Sequence, residues 1–311
     1  MKKTIFLFTL IYQMLGYSTS TCIETILDRP SGFKHCYQSD KSNPSEKNDD
    51  YDIYNKEILV SETSFDKDLK NTTIKFQYYL YKTKQSEANA LIVLTPSIAG
   101  VSIIEKNVAS FFAKRGFDVV VPISYETPIT FGEITTKQMD RGFVRPLVQM
   151  DFLLSLGATY KAYFAIGASQ GGIRSTSLVA NNKIFKKAYL YVPGGNLPLI
   201  YAQTEVESLI EFRNNHMRAL NINDKDSYEK YLKSNLKFDT LMSCKEIDTP
   251  LYFFLANRDK SVPTNSQYEL YEECSKYTHT EKKSLNVGHV IGVSKLLLDK
   301  WMILRDMQSF L

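Results

Sequence analysis

The sequence predicts an α/β protein built on a mostly parallel, doubly wound sheet. From residue 89 onward, short apolar runs alternate with helix-like segments, and a glycine-flanked serine directly follows one of those runs. Continuous apolar runs of about four to eight residues are typical of strands buried on both faces of a parallel sheet. Their alternation with helical segments indicates right-handed βαβ crossovers within one sheet.

The bulk properties are those of a globular chain and do not favour nucleic-acid binding. The chain has 311 residues, 43% of them hydrophobic and 23% charged, and 38 basic and 34 acidic residues give a formal net charge of +4. A nucleic-acid-binding domain concentrates basic residues in a patch or stripe, whereas here the charge is mild and evenly spread. We therefore expect no nucleic-acid partner.

Residues 1–20 have the layout of a secretory signal peptide. Two lysines precede a short apolar centre, and small residues follow it. This centre is short for a membrane span of about 20 residues, so we predict cleavage after Ser20 rather than a membrane anchor. The mature chain, with its net charge lowered to +2 by the loss of two lysines, is expected to be periplasmic or secreted, with no stable membrane span. Lipoprotein anchoring at Cys22 is the weaker alternative, because the three residues before it lack the usual pattern.

All four cysteines lie beyond the predicted cleavage site, where an exported protein can form disulfides. Three connectivities are possible, and we prefer Cys22–Cys36 with Cys244–Cys274, because each closes a modest loop. Their spacing does not match a zinc site. Four free, buried thiols are the alternative.

The N-terminal part of the mature chain, residues 21–54, is expected to be irregular. Its polar block over 39–50 mixes charge signs and reads as a solvated loop. Residues 57–65 and 73–82 are rich in β-forming residues between polar turns, and they predict a hairpin.

The remaining elements follow in regular alternation. Strands are predicted over residues 89–97, 117–124, 161–167, 185–195, 249–256 and 282–287, and helices over 103–116, 141–157, 171–182, 266–277 and 295–311. Two amphipathic helical patterns without a strand between them interrupt this order over 196–245. The simplest interpretation is a single α/β sheet with a helical insertion after its sixth strand.

The glycine-flanked serine is Ser169, in the sequence Gly167-Ala168-Ser169-Gln170-Gly171. A serine hydroxyl becomes a nucleophile only when it is aimed and given a base, and a tight strand-to-helix turn does the aiming. Such a turn crowds the positions two before and two after the serine, which favours Gly167 and Gly171. The N–H of Gln170 would then face a developing oxyanion. A glycine-rich turn with an ordinary capping serine is the alternative.

The base for such a serine is expected to be His289. It directly follows the last predicted strand, where α/β sheets build their sites. Of the other histidines, His35 lies in the irregular start, His216 on an insertion helix with a solvent-facing or substrate-rim role, and His279 in an exposed polar segment.

The acid that would orient this histidine is predicted to be Asp259. It comes just past a very apolar strand, whereas Asp248 lies before that strand, at the wrong end. Glu126, after an earlier strand, is a weaker candidate. A solvated loop carboxylate is the structural alternative for Asp259.

The motifs around Ser169, Asp259 and His289, in this chain order, resemble the α/β-hydrolase superfamily over roughly residues 55–311. This resemblance implies an eight-stranded, mostly parallel sheet with a helical cap at 196–245. It also implies a Ser-His-acid mechanism without cofactor or metal, and a second oxyanion donor in the loop after the third strand. That loop carries Thr95-Pro96 in place of the family's common His-Gly start, and by position the role falls on Ser97, with Ile98 as the alternative.

The resemblance implies hydrolysis of a small-molecule ester, of carboxylesterase or lipase type, through an acyl-enzyme. A peptidase, thioesterase or acyltransferase using the same three residues is the alternative within enzymes. A non-catalytic binding protein on this fold is the alternative outside them. The apolar face of the insertion would suit an acyl group or would simply pack on the sheet.

Overall fold

The structure is a computed structural model that describes the chain in separate ranges. These are residues 20–25, 33–38, 44–62, 72–85, 88, 90–98, 100–123, 136, 139–140, 142 and 160–311. The predicted signal peptide, apart from Ser20, and the helix predicted over 141–157, apart from residue 142, lie outside the described residues. So does Glu126.

Eleven strands of the described residues form one sheet. They are β1 (Ser20–Thr25), β2 (Phe33–Gln38), β3 (Glu46–Lys47), β4 (Tyr51–Glu62), β5 (Thr72–Thr83), β6 (Ala90–Thr95), β7 (Phe117–Pro122), β8 (Ala162–Ala168), β9 (Phe185–Tyr191), β10 (Leu251–Ala256) and β11 (Thr280–Leu285). Their order across the sheet is β1-β2-β4-β5-β7-β6-β8-β9-β10-β11, and β3 pairs with β4.

The part of the sheet that follows the predicted pattern runs from β4 to β11. Neighbouring strands from β7 through β6, β8, β9 and β10 to β11 are parallel, whereas β4 pairs with β5 and β5 with β7 in the antiparallel sense. All residues of β6, β7 and β10 are buried, as expected for strands covered by helices on both faces. The mostly parallel α/β architecture is therefore confirmed.

The prediction that residues 21–54 are irregular is wrong for the described part of that segment. Strands β1 and β2 pair with each other, and β2 continues the sheet by pairing antiparallel with β4. The sheet therefore extends beyond the predicted eight strands. The prediction relied on the polar composition of this segment, which is typical of a loop. The strands form because the edge of the sheet at β4 offers backbone hydrogen bonds to them, whatever their composition.

Eight α-helices are described over their whole length. They are α1 (Ile103–Ala113), α2 (Gln170–Asn181), α3 (Leu197–Gln203), α4 (Glu207–Ala219), α5 (Lys225–Asn235), α6 (Thr240–Ser243), α7 (Thr264–Cys274) and α8 (His289–Gln308), and a short 3-10 turn spans Cys244–Glu246. None of these helices is both long and apolar enough to cross a bilayer.

The core has two layers, one on each face of the sheet. Because successive side chains of a strand point to opposite faces, Ile92 and Leu94 of β6 pack in one apolar cluster with residues of α1 and α8. Leu91 and Val93 of the same strand pack in the other cluster, which includes residues of α2 and α7. Helices on both faces confirm the doubly wound arrangement.

The helical insertion lies where the sequence predicts it, between β9 and β10, the sixth and seventh strands counted from β4. Its helices and Met139 form a small apolar cluster, which includes Phe212, Tyr228 and Leu232. His216 is buried at this cluster, and its Nδ1 lies 2.9 Å from the Tyr228 hydroxyl. Burial lowers the pKa of His216. The prediction that His216 faces solvent or a substrate rim is therefore wrong.

The predicted disulfide between Cys244 and Cys274 is confirmed. It joins the end of the insertion to the end of α7, and both cysteines are fully buried. Cys22 and Cys36 are register partners in the β1–β2 pair, and a bond between them stays a prediction.

Replacing Cys244 and Cys274 together by serine should lower the free energy of unfolding. The bridge closes a loop with a sequence separation of 30, and cross-links of this kind typically contribute about 2–4 kcal/mol. Urea denaturation followed by circular dichroism measures the change. A double variant as stable as the wild type would contradict the structural role given to this bridge.

Candidate active site

The predicted nucleophile lies at a one-residue bend between a strand and a helix. Strand β8 ends at Ala168, α2 begins at Gln170, and Ser169 between them has φ 56° and ψ −125°. A positive φ in a residue other than glycine costs about 1–3 kcal/mol and is often found at functional sites. The Ser169 N–H donates to the Tyr191 carbonyl over 2.8 Å, which ties the bend to the end of β9.

Glycine is required on both sides of this bend because the backbones approach closely. A Cβ atom on Gly167 would lie 2.3 Å from the Gly171 carbonyl oxygen. One on Gly171 would lie 2.1 Å from the carbonyl oxygen of Thr95, at the end of β6. The first glycine lets the strand and helix fold back on each other, and the second lets the helix pass the neighbouring strand.

The predicted acid lies in the loop that follows β10. Asp259 is buried, and its Oδ1 accepts the N–H groups of Ser261 and Val262 at 2.8 and 2.9 Å. Its Oδ2 accepts the side-chain amide of Gln267, in α7, at 3.1 Å. These bonds satisfy the buried carboxylate and hold it in one orientation.

The predicted base lies in the neighbouring loop, after β11. The two loops are joined by the Arg258 N–H, which donates to the Val287 carbonyl over 3.0 Å. His289 is the first residue of α8, and its Nδ1 lies 2.7 Å from Oδ2 of Asp259. Because an ionised carboxylate can only accept, the proton of this bond lies on Nδ1, and in the neutral imidazole Nε2 then carries the lone pair.

The serine and histidine elements meet around the residue that follows β9. Val192 comes directly after Tyr191, the acceptor of the Ser169 N–H, and it has an unusual φ of 44°. A Cβ on Gly292, one turn of helix beyond His289, would lie 2.5 Å from the Val192 side chain. Only glycine allows α8 to approach Val192 so closely. The structure therefore brings Ser169, Asp259 and His289 to the same edge of the sheet.

The predicted oxyanion donors are placed differently from each other. Gln170 is the first residue of α2, a 12-residue helix, so its N–H lies at the positive end of the helix dipole. The Ser97 N–H instead points to Oε1 of the buried Glu105 at 3.4 Å. Glu105 belongs to the capping box of α1 and also accepts the N–H of Ser102 at 2.9 Å. An oxyanion at Ser97 would have to compete with this carboxylate. Ile98, the alternative donor, is exposed.

Gln267 is the residue at this site that the sequence analysis did not identify. It is fully buried, and in addition to Asp259 it contacts the Val262 carbonyl at 2.8 Å and the Ala256 N–H at 3.0 Å. A glutamine inside an amphipathic helix carries no sequence signal for such a role, because the role depends on which side of α7 faces the acid loop. His279, as expected, is exposed.

Within the described residues, no group of three or more histidine, cysteine, aspartate or glutamate side chains is arranged to hold a metal ion.

Comparison with known proteins finds likeness in structure only. No family model and no curated protein matches the sequence. An acetyl xylan esterase from Paenibacillus sp. superposes with a TM-score of 0.62 and 14% identity, over 91% of this chain and 90% of that one. Acetyl xylan esterase 1 from Thermoanaerobacterium sp. gives 0.59 and 12%, over 91% and 89%. An esterase from Pyrococcus furiosus gives 0.55 and 14%, over 82% and 90%.

The chain has the α/β-hydrolase fold. Within this fold, β8 and α2 carry the strained serine, and the loops after β10 and β11 carry Asp259 and His289. At identities of 12–14% the likeness establishes the fold, and the chemistry has to be inferred from the site itself.

Replacing Gly171 by alanine should destabilise the protein by about 1–3 kcal/mol, because the new methyl group would overlap the Thr95 carbonyl. The matched control is Gly288→Ala, whose Cβ would meet the Arg258 carbonyl oxygen at an ordinary 3.6 Å. Urea denaturation of the two variants measures the difference. Equal stability of both would show that the bend tolerates a side chain and that the close approach is not a constraint.

Proposed function

We propose that the protein is a serine esterase that works through an acyl-enzyme. Ser169 attacks the carbonyl carbon of a small-molecule ester, His289 accepts the serine proton, and Asp259 holds the imidazole. The N–H of Gln170, with Ser97 or Ile98 as the second donor, binds the oxyanion. No cofactor or metal takes part in these steps.

The observation that carries this proposal is the bond from Nδ1 of His289 to the buried Asp259 carboxylate. It fixes the imidazole tautomer whose Nε2 can accept a proton, and it stabilises the imidazolium that forms when it does. The Asp259 carboxylate is buried and accepts two backbone N–H groups and a glutamine amide, whereas a carboxylate in a surface ion pair is exposed to water. The strained serine on the same edge of the sheet supports the assignment.

Water is the only other reactant that ester hydrolysis by these residues needs. The Ser169 proton moves to Nε2 of His289 and then to the leaving alkoxide, which departs as an alcohol. Water gives its proton to the same nitrogen as it attacks the acyl carbon, and the proton returns to Ser169 when the acid is released.

An ester is the first substrate class to test, because solved structures of similar fold include proteins named as acetyl xylan esterases and esterases. A peptidase, thioesterase or acyltransferase would use the same three residues on another acyl group. A binding protein on this fold would leave Ser169 unreactive.

We infer that the protein works outside the cytoplasm. The Cys244–Cys274 disulfide supports this inference, because such bonds persist in oxidising compartments. The signal-like pattern of residues 1–20 is consistent with export.

Replacing Ser169 by alanine should abolish hydrolysis of p-nitrophenyl acetate and covalent labelling by a fluorophosphonate. Loss of the nucleophile should lower kcat by at least about a thousandfold, without loss of folded structure. Activity is measured by nitrophenolate release, labelling by mass spectrometry and folding by circular dichroism. An unlabelled wild type would favour the binding protein, and labelling with cleavage of amides but not esters would favour the peptidase.

Replacing Gln267 by methionine should lower kcat by about tenfold to a hundredfold with a smaller change in KM, because the Asp259 carboxylate loses one of the bonds that position it. Gln308→Met, on an exposed turn of α8, is the matched control. Because the lost amide also leaves the Ala256 N–H unsatisfied, both variants are assayed at a temperature where circular dichroism shows them folded. Equal kcat values in the two variants would remove Gln267 from the positioning of the acid.

A further inference from the structure

One face of the protein exposes large apolar side chains on two neighbouring helices. Ile103 of α1 is 81% exposed, and on α8 the exposed fractions are 77% for Val290, 60% for Ile291, 72% for Leu298 and 54% for Trp301. We call these five residues the apolar face. Single exposed apolar side chains are normal, but contiguous patches mark interaction sites.

The contacts between α1 and α8 make this a single surface. The Lys300 ammonium donates to the Asn107 side chain over 2.8 Å, and the Trp301 ring meets the Phe111 ring edge to face at 4.9 Å. The Arg115 guanidinium lies over the Trp301 ring, 4.4 Å from its centre. These contacts fix Trp301 at the junction of the two helices.

The apolar residues of α8 lie on one side of that helix. At 3.6 residues per turn, Leu298 lies two turns beyond Ile291, and Trp301 is one turn further on. The stripe from Val290 to Trp301 is about 17 Å long, since each residue adds about 1.5 Å. The buried side of α8, which includes Leu296 and Ile303, packs on the sheet.

The same two helices are surrounded by positive charge. Their basic side chains, with those of the two residues after α1, are Lys106, Lys114, Arg115, Lys295, Lys300 and Arg305. Two of these cations are paired, Lys295 with the buried Asp299 at 3.2 Å and Lys114 with Asp50 at 3.6 Å. Of the other carboxylates of these segments, Glu105 is buried in the capping box of α1 and Asp306 pairs with Lys187 of β9. The two segments therefore carry six basic side chains and three carboxylates.

We propose that the apolar face docks on an anionic phospholipid surface. Exposed aliphatic side chains, a tryptophan at the rim and surrounding lysines are the composition of helices that lie in a membrane interface. Basic side chains near an anionic lipid surface add to the attraction. A second copy of the chain fits less well, because lysine is depleted in protein–protein interfaces and two like-charged faces would repel each other.

The position of the face would bring the proposed active site to the lipid. Val290 and Ile291 directly follow His289, so the apolar stripe begins at the edge of the sheet where Ser169 and Asp259 lie. Docking goes beyond the proposed ester hydrolysis and does not depend on it. It requires only that the face remain as the structure presents it.

Trp301 is the only tryptophan of the chain, so its fluorescence reports directly on this face. We expect its emission to shift to shorter wavelength when vesicles of phosphatidylcholine with phosphatidylglycerol are added. Vesicles of phosphatidylcholine alone should cause little shift, and added salt should reverse the effect. Lipids brominated on their acyl chains should quench the emission. An emission spectrum that no vesicle changes would overturn the proposal.

Leu298→Ser keeps the tryptophan probe and should weaken binding to the anionic vesicles about tenfold, the effect of losing one buried leucine side chain. Met242→Ser is the matched control, because Met242 is 61% exposed but lies in α6, outside the face. Equal vesicle affinity of the two variants would contradict docking through α8. Analytical ultracentrifugation without lipid tests whether a second copy of the chain covers the apolar face instead. A wild-type dimer that dissociates in the Leu298→Ser variant would overturn docking on lipid in favour of a dimer interface.

Ser169→Ala separates this proposal from the proposed function. The variant should bind anionic vesicles as the wild type does, even though it should not turn over an ester. If the wild type does not hydrolyse esters, the proposed function is wrong, but the vesicle-binding result still tests the docking proposal. Loss of vesicle binding in Ser169→Ala, with the fold intact, would contradict a docking face separate from the chemistry.

Discussion

The close approach of α2 to the end of β6 sets the geometry of the candidate site. The backbone at Gly171 leaves no room for a methyl group beside the Thr95 carbonyl. A helix this close to the neighbouring strand can begin only after a sharp bend, and Ser169 takes the strained conformation of that bend. This packing fixes the backbone that carries the Ser169 side chain, and the strain is supported by the sheet and helix that enclose it.

The histidine and its acid are held by a second set of contacts, on the other side of β9. Bonds between the loops after β10 and β11 place Asp259 beside His289, and Gln267 braces the carboxylate from α7. Val192 and Gly292 then bring the histidine helix against the strand that also binds the serine backbone. The three side chains are therefore positioned by adjacent strands, which makes their arrangement a property of the sheet.

The helical insertion is connected to the same site. The Glu205 N–H, in the link between α3 and α4, donates to the Lys260 carbonyl directly after Asp259 over 2.8 Å. Ile200 of α3 packs in one apolar cluster with Val262 of the acid loop and Ile173 of α2. Other apolar residues of the insertion pack in the cluster around Phe212, together with Met139. These contacts are packing contacts, and a contribution of the insertion to acyl binding stays a prediction.

Helix α8 combines both of the inferred roles along its length. Its first residue is His289, its inner side includes Leu296 and Ile303 in the core, and its outer side carries Leu298 and Trp301 into solvent. A helix that only closed the fold would be expected to carry polar residues on its outer side. The apolar outer stripe of α8 is the feature for which the proposed docking surface accounts.

The sequence by itself determined the alternation of strands and helices, the place of the insertion and the identity of Ser169, Asp259 and His289 as candidates. These features are local, since apolar periodicity and small residues around a tight turn are properties of neighbouring positions. The tertiary structure decided what depends on distant contacts. It joined β1 and β2 to the sheet, buried His216 against Tyr228, turned Gln267 toward Asp259 and placed Glu105 beside Ser97. The local sequence around such a polar residue does not show whether its side chain faces water or a buried partner. Only the packing of the helices and strands determines this.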